Sequence, residues 1–468
     1  MFRSALLFAA SLLAAGSAAA QPLTTAESAK VDAIVAAALK SSGVPSASVA
    51  IVRGGEIAFA KAYGHQGPGL PVASKDAKYQ IASVSKQFTA AAILMLEDEG
   101  KLTLDDTVAK WVPGITGGER ITIRQLLSHT SGIQDYWPQD YSFPAMEVPT
   151  TPQGIVDRWA KKPLDFEPGT QWQYSNTGFV VAGMIVEKAS GTTLLDYLNS
   201  HVFKRLGIDA MDQDLAVGKG YPTGYHRYAL GPVRPAKPAA HGWLWAAGEL
   251  AMSASDLAKW DVARINRSLM LTDDWAVQET AIKLADGKSS NYGLGVQLAE
   301  QNGIKIVSHG GEAVGFLTDN TVIPSEKFAV VVEVNADFGD AQSTIAQKIR
   351  DMFVPRLAPP ASDAVERARA ELARQVYAGL QKGQIDRARF TANGNYYFTA
   401  QAVADYRTSL APLGKPISFE PIRGPRLRGG FVNRNYSIVY PGRKLIVVTY
   451  ADPGKDGKIE QFMVMPAN

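Results

Sequence analysis

The segment YQIASVSKQFTAAAILMLEDEG, from Tyr79 to Gly100, restricts the fold more than any other part of the chain. Between Lys78 and Glu97 its only charged side chain is Lys86, set among Ile, Ala, Val, Phe, Leu and Met. A helix that is apolar on nearly every face has to be surrounded by other elements, and a buried ammonium is costly unless something pairs with it. The fold therefore needs a central enclosed helix and polar partners deep inside, beside Lys86. A chain of 468 residues with 46% hydrophobic and 20% charged content can build two or three domains and a large core. A net charge of +3 with no long basic run interleaved with aromatics gives no support to a nucleic-acid partner.

The first twenty residues, MFRSALLFAASLLAAGSAAA, place Arg3 before an apolar stretch and end on an A-x-A pattern at Ala18–Ala20. That is the order of an export signal. A membrane anchor is the competing reading, but Ser11 and Gly16 interrupt a stretch that is short for a span. The expectation is cleavage near Ala20 and a periplasmic or secreted product with no stable membrane anchor. The absence of cysteine means no disulfide, no thiolate metal site and no lipid-bearing cysteine.

Along the chain, TTAESAKVDAIVAAALKSSG reads as a helix, with Thr24 and Glu27 at capping-box spacing and Gly43 as the stop. SASVAIV and EIAFAKAYG, joined by Arg53-Gly54-Gly55, read as a hairpin. The Tyr79–Gly100 helix follows, and residues 101–285 are mostly helical with long loops. Strand patterns return in YGLGVQLAE, IKIVSHGG, FLTDNTVIP and FAVVVEVNAD, followed by a helix near 341–353. The simplest architecture is α/β (α+β): one antiparallel sheet completed from both ends of the domain, flanked by helices, with a helical subdomain inserted. RLAPPASDA reads as a linker over 356–364. The domains are then a signal at 1–20, a main domain at 21–355, and a small α+β unit at 365–468 that is weakly similar to nuclear transport factor 2-like domains. In that unit Arg423, Arg426 and Arg428 read as a solvated basic loop, DPGKDG as a hairpin turn rather than a calcium loop, and no catalytic role is assigned.

The chain has no G-x-S-x-G elbow, H-E-x-x-H helix, P-loop or G-x-G-x-x-G, and its six histidines lack metal-ligand spacing. No metal or other cofactor is expected. What remains is Ser83-Val84-Ser85-Lys86. Residues three apart share a helix face, so hydroxyl and ammonium can meet, and Ser83 would sit in the first turn, where the helix dipole favours negative charge. Serine becomes a nucleophile only when a base takes its proton, and a lysine whose pKa is lowered by desolvation could be that base. On this stretch alone, a capping serine beside a surface lysine remains an alternative.

A second piece brings in a family. The run FEPGTQWQYSNTGF, with Tyr174-Ser175-Asn176, resembles the Y-x-N segment of penicillin-recognising serine hydrolases, in particular the class C β-lactamase group and its relatives. LLSHTSGI at 126–133, AAGELAMSASDLAKW at 246–260, YGLGV at 292–296 and SHGGEAVGF at 308–316 are similar to further family motifs and follow in the same order, over roughly residues 25–355. The resemblance implies a β-lactamase-like fold and a serine that is acylated. It implies Ser83, Lys86 and Tyr174 as catalytic residues, with Tyr174 as general base, its phenolate favoured by the nearby ammonium. Asn176 would contact the substrate amide, the strand bearing His309-Gly310-Gly311 would edge the site, and the backbone N–H groups of Ser83 and Glu312 would form the oxyanion hole. His309 departs from the K-T-G form. As a partly charged group near neutral pH it should hold a substrate carboxylate less firmly than lysine.

Other residues read as structural: Glu167 in FEPGT, Asp105 and Asp106 at a helix start, His129 and Ser131 at a turn. Tyr136, Trp137, Trp243 and Trp245 fit a cleft or a core equally. The expectation is an exported serine hydrolase acting through an acyl-enzyme on D-amino-acid peptides, β-lactams or small esters. The alternative is a penicillin-binding or sensor protein that ligand acylates with little turnover.

Overall fold

The computed structural model describes residues 22–352 and 364–467, except 69, 71, 302, 423, 424 and 455. The expected export signal and most of the expected linker lie outside the described residues. The helix Thr25–Ser42 opens with the capping box of Thr24 and Glu27 and closes on Gly43 in the left-handed region. Strands Ser46–Arg53 and Glu56–Gly64 turn through Gly54 and Gly55, both at positive φ, as a tight two-residue hairpin requires.

The hairpin does not stand alone. Ser46–Arg53 pairs with Phe328–Val334, with Val49 opposite Val332, and the antiparallel sheet continues through Phe316–Ile323 and Ile304–Ala313 to Gln297–Gln301. Side chains alternate across it. Ala47, Val49 and Ile51 pack against Val31, Val35, Ile345 and Ile349 of the helices Thr25–Ser42 and Ala341–Asp351. Ala50 and Val52 face the other way, toward the inserted helices. The architecture expected from the motifs is the one observed.

The apolar helix begins later than its sequence suggests. Tyr79–Gln80 pair as a short strand with Leu250–Met252, Ala82–Ser85 make a tight turn, and the α-helix runs Lys86–Asp98. The reason is tertiary: Ile81 N–H donates to the Leu250 carbonyl at 3.0 Å, which takes it out of any helical ladder. Every residue from Lys86 to Leu96 is buried, because the helix Asn176–Ser190 and the turn Trp245–Gly248 cover the sides that the sheet does not.

After the undescribed stretch, the helices Ala364–Gln381, Ala392–Tyr397 and Ala400–Leu410 pack on a second antiparallel sheet, formed by Ser418–Pro421, Phe431–Tyr440, Arg443–Ala451 and Ile459–Ala467. The short strand Arg426–Arg428 pairs with the start of Phe431–Tyr440. This unit is docked on the main domain by apolar packing of Tyr228, Ala229 and Leu230 against its core and by polar contacts. Arg234 pairs with Asp405 at 2.6 Å, Tyr396 Oη donates to Glu147 at 2.8 Å, and Gln461 Nε2 donates to Asp140 at 2.6 Å.

Candidate active site

Ser83 lies on the tight turn that leads into the apolar helix and lines a cavity of 470 Å³. Ala82, just before it, holds a left-handed φ of 47°, which a non-glycine residue adopts only under tertiary constraint. Part of that constraint is the strand Ile304–Ala313. A Cβ on Gly311 would fall 2.1 Å from the Ile81 carbonyl oxygen, so the strand can lie against the Ser83 turn only with glycine there. Gly310 has no such neighbour and faces the cavity.

Lys86 is fully buried, and its Nζ reaches Ser83 Oγ at 2.9 Å, Asn176 Oδ1 at 2.8 Å and the Ala247 carbonyl at 2.6 Å. Burial lowers its pKa well below the usual lysine value, opposed by Asp135 and reinforced by Arg428. The partners fix what the deprotonated form can do. Asn176 Oδ1 and the Ala247 carbonyl only accept, so a neutral amine would keep its two protons on them and turn its lone pair to the hydroxyl of Ser83, the partner that has a proton to give.

Tyr174 precedes the helix Asn176–Ser190, and its ring centroid is 4.9 Å from Lys86 Nζ. His129 packs against it at 4.1 Å between ring centroids, with Trp172 and His309 further out. The His129 ring is held by the Ser175 N–H, which donates to its Nδ1 at 3.1 Å. Enclosure raises the Tyr174 pKa above that of an ordinary phenol, and a hydrogen bond with Ser83 and the Arg428 guanidinium offset this only in part. This corrects the expectation that Lys86 would make a phenolate of it: desolvation outweighs the Ser83 hydrogen bond and the Arg428 guanidinium, and the resting group is a phenol.

Asn176 is the first residue of its helix. Its Oδ1 takes the lysine and its Nδ2 donates to Asp135 at 3.1 Å. Asp135, whose side chain is fully buried, also accepts the N–H of Asn176 at 3.0 Å and of Trp137 at 3.2 Å. Its second oxygen meets Arg428 Nε at 3.2 Å. The reading of Arg423, Arg426 and Arg428 as a solvated loop is therefore corrected for Arg428 alone. Arg423 is outside the described residues and Arg426 is exposed, but Arg428 is drawn into the site by Asp135, and the stretch 426–428 forms one wall of the cavity. Asp135 and Arg428 escaped sequence reasoning because no spacing links residues that far apart.

His309 is also corrected. Its Nε2 meets Tyr292 Oη at 2.8 Å and its Nδ1 the Gly310 carbonyl at 2.6 Å. Burial, with Lys86 nearby, pushes its pKa down to about 3. The ring is neutral with both nitrogens engaged, so it buttresses Tyr292 and has no charge to offer a carboxylate. A stability consequence follows. Below about pH 6.5 the unfolded chain takes up a proton that native His309 refuses, so stability falls with falling pH through that window toward about 3, by up to about 1.4 kcal/mol per pH unit from this residue. Urea unfolding at a series of pH values should show a shallower acid-side slope for His309→Gln than for the native chain.

Glu312 lines the cavity, and burial together with Asp140 raises its carboxyl far above the usual range. Glu167 is exposed and pairs with Arg120, Asp106 accepts from Lys110 and Trp111, and Asp105 pairs with Arg124. Trp137 lines the cavity, whereas Tyr136 and Trp243 are core residues joined by a hydrogen bond from the Tyr136 hydroxyl to the Trp243 carbonyl.

Known proteins resemble the chain over much of this architecture. It is 32% identical over 264 residues to Penicillin-binding protein 4* of Bacillus subtilis (strain 168), a match spanning 51% of this chain and 56% of that protein. The structure of a D-stereospecific amidohydrolase from Streptomyces sp. is similar at 28% identity and a TM-score of 0.57, over 66% of this chain and 94% of the other. The octameric penicillin-binding protein homologue from Pyrococcus abyssi shares the fold at a TM-score of 0.62 and 21% identity, over 93% of this chain and 99% of its own. The family model described as Beta-lactamase matches residues 31–351, most of the chain and every element that builds the cavity around Ser83 apart from the wall supplied by the C-terminal unit through residues 426–428, Asn433 and Tyr450: the chain belongs to the beta-lactamase family, whose fold is that of serine hydrolases.

Proposed function

We propose that the protein is an exported serine hydrolase that works through an acyl-enzyme on Ser83, with D-amino-acid peptides or amides as the leading substrate class and β-lactams and small esters as further ones. The observation that carries the reading is the setting of Lys86: a buried amine with two partners that only accept and a third, Ser83, that can give a proton. In this reading the amine takes the Ser83 proton as Oγ attacks the carbonyl carbon. The C–O bond forms and the oxyanion rests on the backbone N–H groups of Ser83 and Glu312; as it collapses, the bond from the acyl carbon to the leaving nitrogen or oxygen breaks, the Tyr174 phenol gives the leaving atom a proton, and the Lys86 ammonium reprotonates Tyr174 and becomes the amine again. Water then repeats the sequence and releases the acid. Asn176 holds the lysine and edges the cavity floor, and Gly310 and Gly311 let an extended substrate lie along their strand. The D-amino-acid preference draws on the name of the Streptomyces amidohydrolase and on D-amino acid amidase among proteins of this fold. Export rests on the N-terminal segment of the sequence.

Purified protein exposed to a fluorescent penicillin, a p-nitrophenyl ester and a D-Ala-D-Ala peptide, beside Ser83→Ala, tests this. The expected result is turnover of at least one probe, with the adduct mapped to Ser83 by mass spectrometry and lost in the variant. Label that persists without turnover would mark a penicillin-binding sensor instead, and turnover retained by Ser83→Ala would end the mechanism.

A further inference from the structure

The hairpin that carries Arg428 is built to reach the site. Its turn, Gly429-Gly430, has both residues at positive φ, and a Cβ on Gly429 would fall 2.4 Å from the side chain of Pro138. The close approach lets the strand before the turn run beside Tyr174, with which Arg428 forms a parallel backbone bridge. The guanidinium carbon then lies 5.0 Å from the centre of the Tyr174 ring. It is held there on several sides: Nε meets Asp135 at 3.2 Å, Nη2 the Trp137 carbonyl at 3.1 Å, and Nη1 the Tyr450 hydroxyl at 3.3 Å, with Asp140 at 3.7 Å. A planar fork of five donors fits such a setting where a lysine would fill only part of it. Contacts away from the cavity, such as Arg234 with Asp405, also join the two units. A guanidinium clamped over a tyrosine in the cavity does something more.

We propose that Arg428, delivered by the C-terminal domain, is a positioning residue of the catalytic centre: its fixed charge beside Tyr174 and Lys86 keeps the amine ready to accept a proton from Ser83 and the phenol ready to give one to the leaving group. The inference rests on the reading of Ser83, Lys86 and Tyr174 as the acyl-transfer site, and it makes the second domain part of the hydrolytic machinery. Among the described residues, the groups facing Tyr174 from the surrounding elements include Ser83 and Lys86, His129 and His309, Tyr136 and Tyr292, Glu312, Asp135 and Arg428 itself. Burial disfavours the charged forms of both histidines and of Glu312, and the Arg428 guanidinium is held by Asp135 at 3.2 Å. Arg428 favours phenolate over phenol at Tyr174 and amine over ammonium at Lys86. Both effects favour the deprotonated form, so removing the charge moves the ascending limb, which follows the Lys86 amine, upward.

The test is the pH dependence of kcat/KM for a p-nitrophenyl ester or D-amino-acid anilide, measured on the full chain. In Arg428→Gln the ascending limb should move up by about one pH unit, giving about a tenfold loss on that limb and little at the alkaline plateau. Arg428→Lys, which keeps the charge, should bring the limb most of the way back. Arg428→Met, which keeps packing over the ring without the charge, carries the same expectation as Gln should that variant not fold. A limb that stays in place in the neutral variants, or a uniform loss at all pH values that lysine does not rescue, would overturn the inference while leaving the hydrolase reading intact. Turnover by Ser83→Ala would instead overturn that reading.

Discussion

Lys86→Met should lower turnover about a thousandfold or more while leaving the folding free energy within about 2 kcal/mol of the native chain. The two halves of this result have separate causes. Methionine fills nearly the same volume and removes a buried polar amine whose desolvation costs a few kcal/mol. Against that gain, Asn176 Oδ1 and the Ala247 carbonyl lose their donor, at about 1–3 kcal/mol each. The terms are similar in size and opposite in sign, so stability should move little. Activity has no such compensation, because Ser83 loses the one group placed to take its proton. Lys86→Arg should be as inactive, since a planar fork has neither the lone pair nor the room. Steady-state kinetics beside urea unfolding gives both readouts. A Met variant within tenfold of native activity would show that the proton goes elsewhere.

How far the sequence predicted this arrangement depends on the range of each determinant. The apolar helix, its single lysine and the serine one turn away are local facts, and the structure places Lys86 against Ser83 as the spacing required. Strand alternation and the Gly54-Gly55 turn are also local, and the sheet follows them. The start of the helix was misplaced because Ile81 is claimed by Leu250, a partner from another part of the chain. His309 was misread because its charge depends on burial, which residue type does not encode. The longest-range determinant was missed altogether. Arg428 looks like any arginine in a basic loop until the two domains are docked, and Asp135 looks like any loop aspartate until Asn176 and Arg428 close on it.

Asp135→Ala should produce the largest loss of stability of any single substitution near the site, about 3–5 kcal/mol. The carboxylate is the counter-charge of Arg428 and the anion that opposes the desolvation of Lys86. It also accepts from the backbone of Asn176 and Trp137 and from the Asn176 side chain. Its removal leaves a guanidinium short of its partner and several buried donors without an acceptor, and the remaining contacts of Arg428 with Asp140 and Tyr450 are longer. In a chain of this size such a loss corresponds to a fall in melting temperature of about 3–5 °C. Asp135→Asn, which keeps one accepting oxygen but no charge, should lie between the two. The decisive measurement is the cycle with Arg428→Ala. If the cost is mainly that of an unmatched cation, the double variant must be more stable than the sum of the single losses allows, by about 1–3 kcal/mol. Strict additivity would mean that Asp135 acts through its backbone donors alone and that the domain-spanning ion pair contributes nothing to the fold.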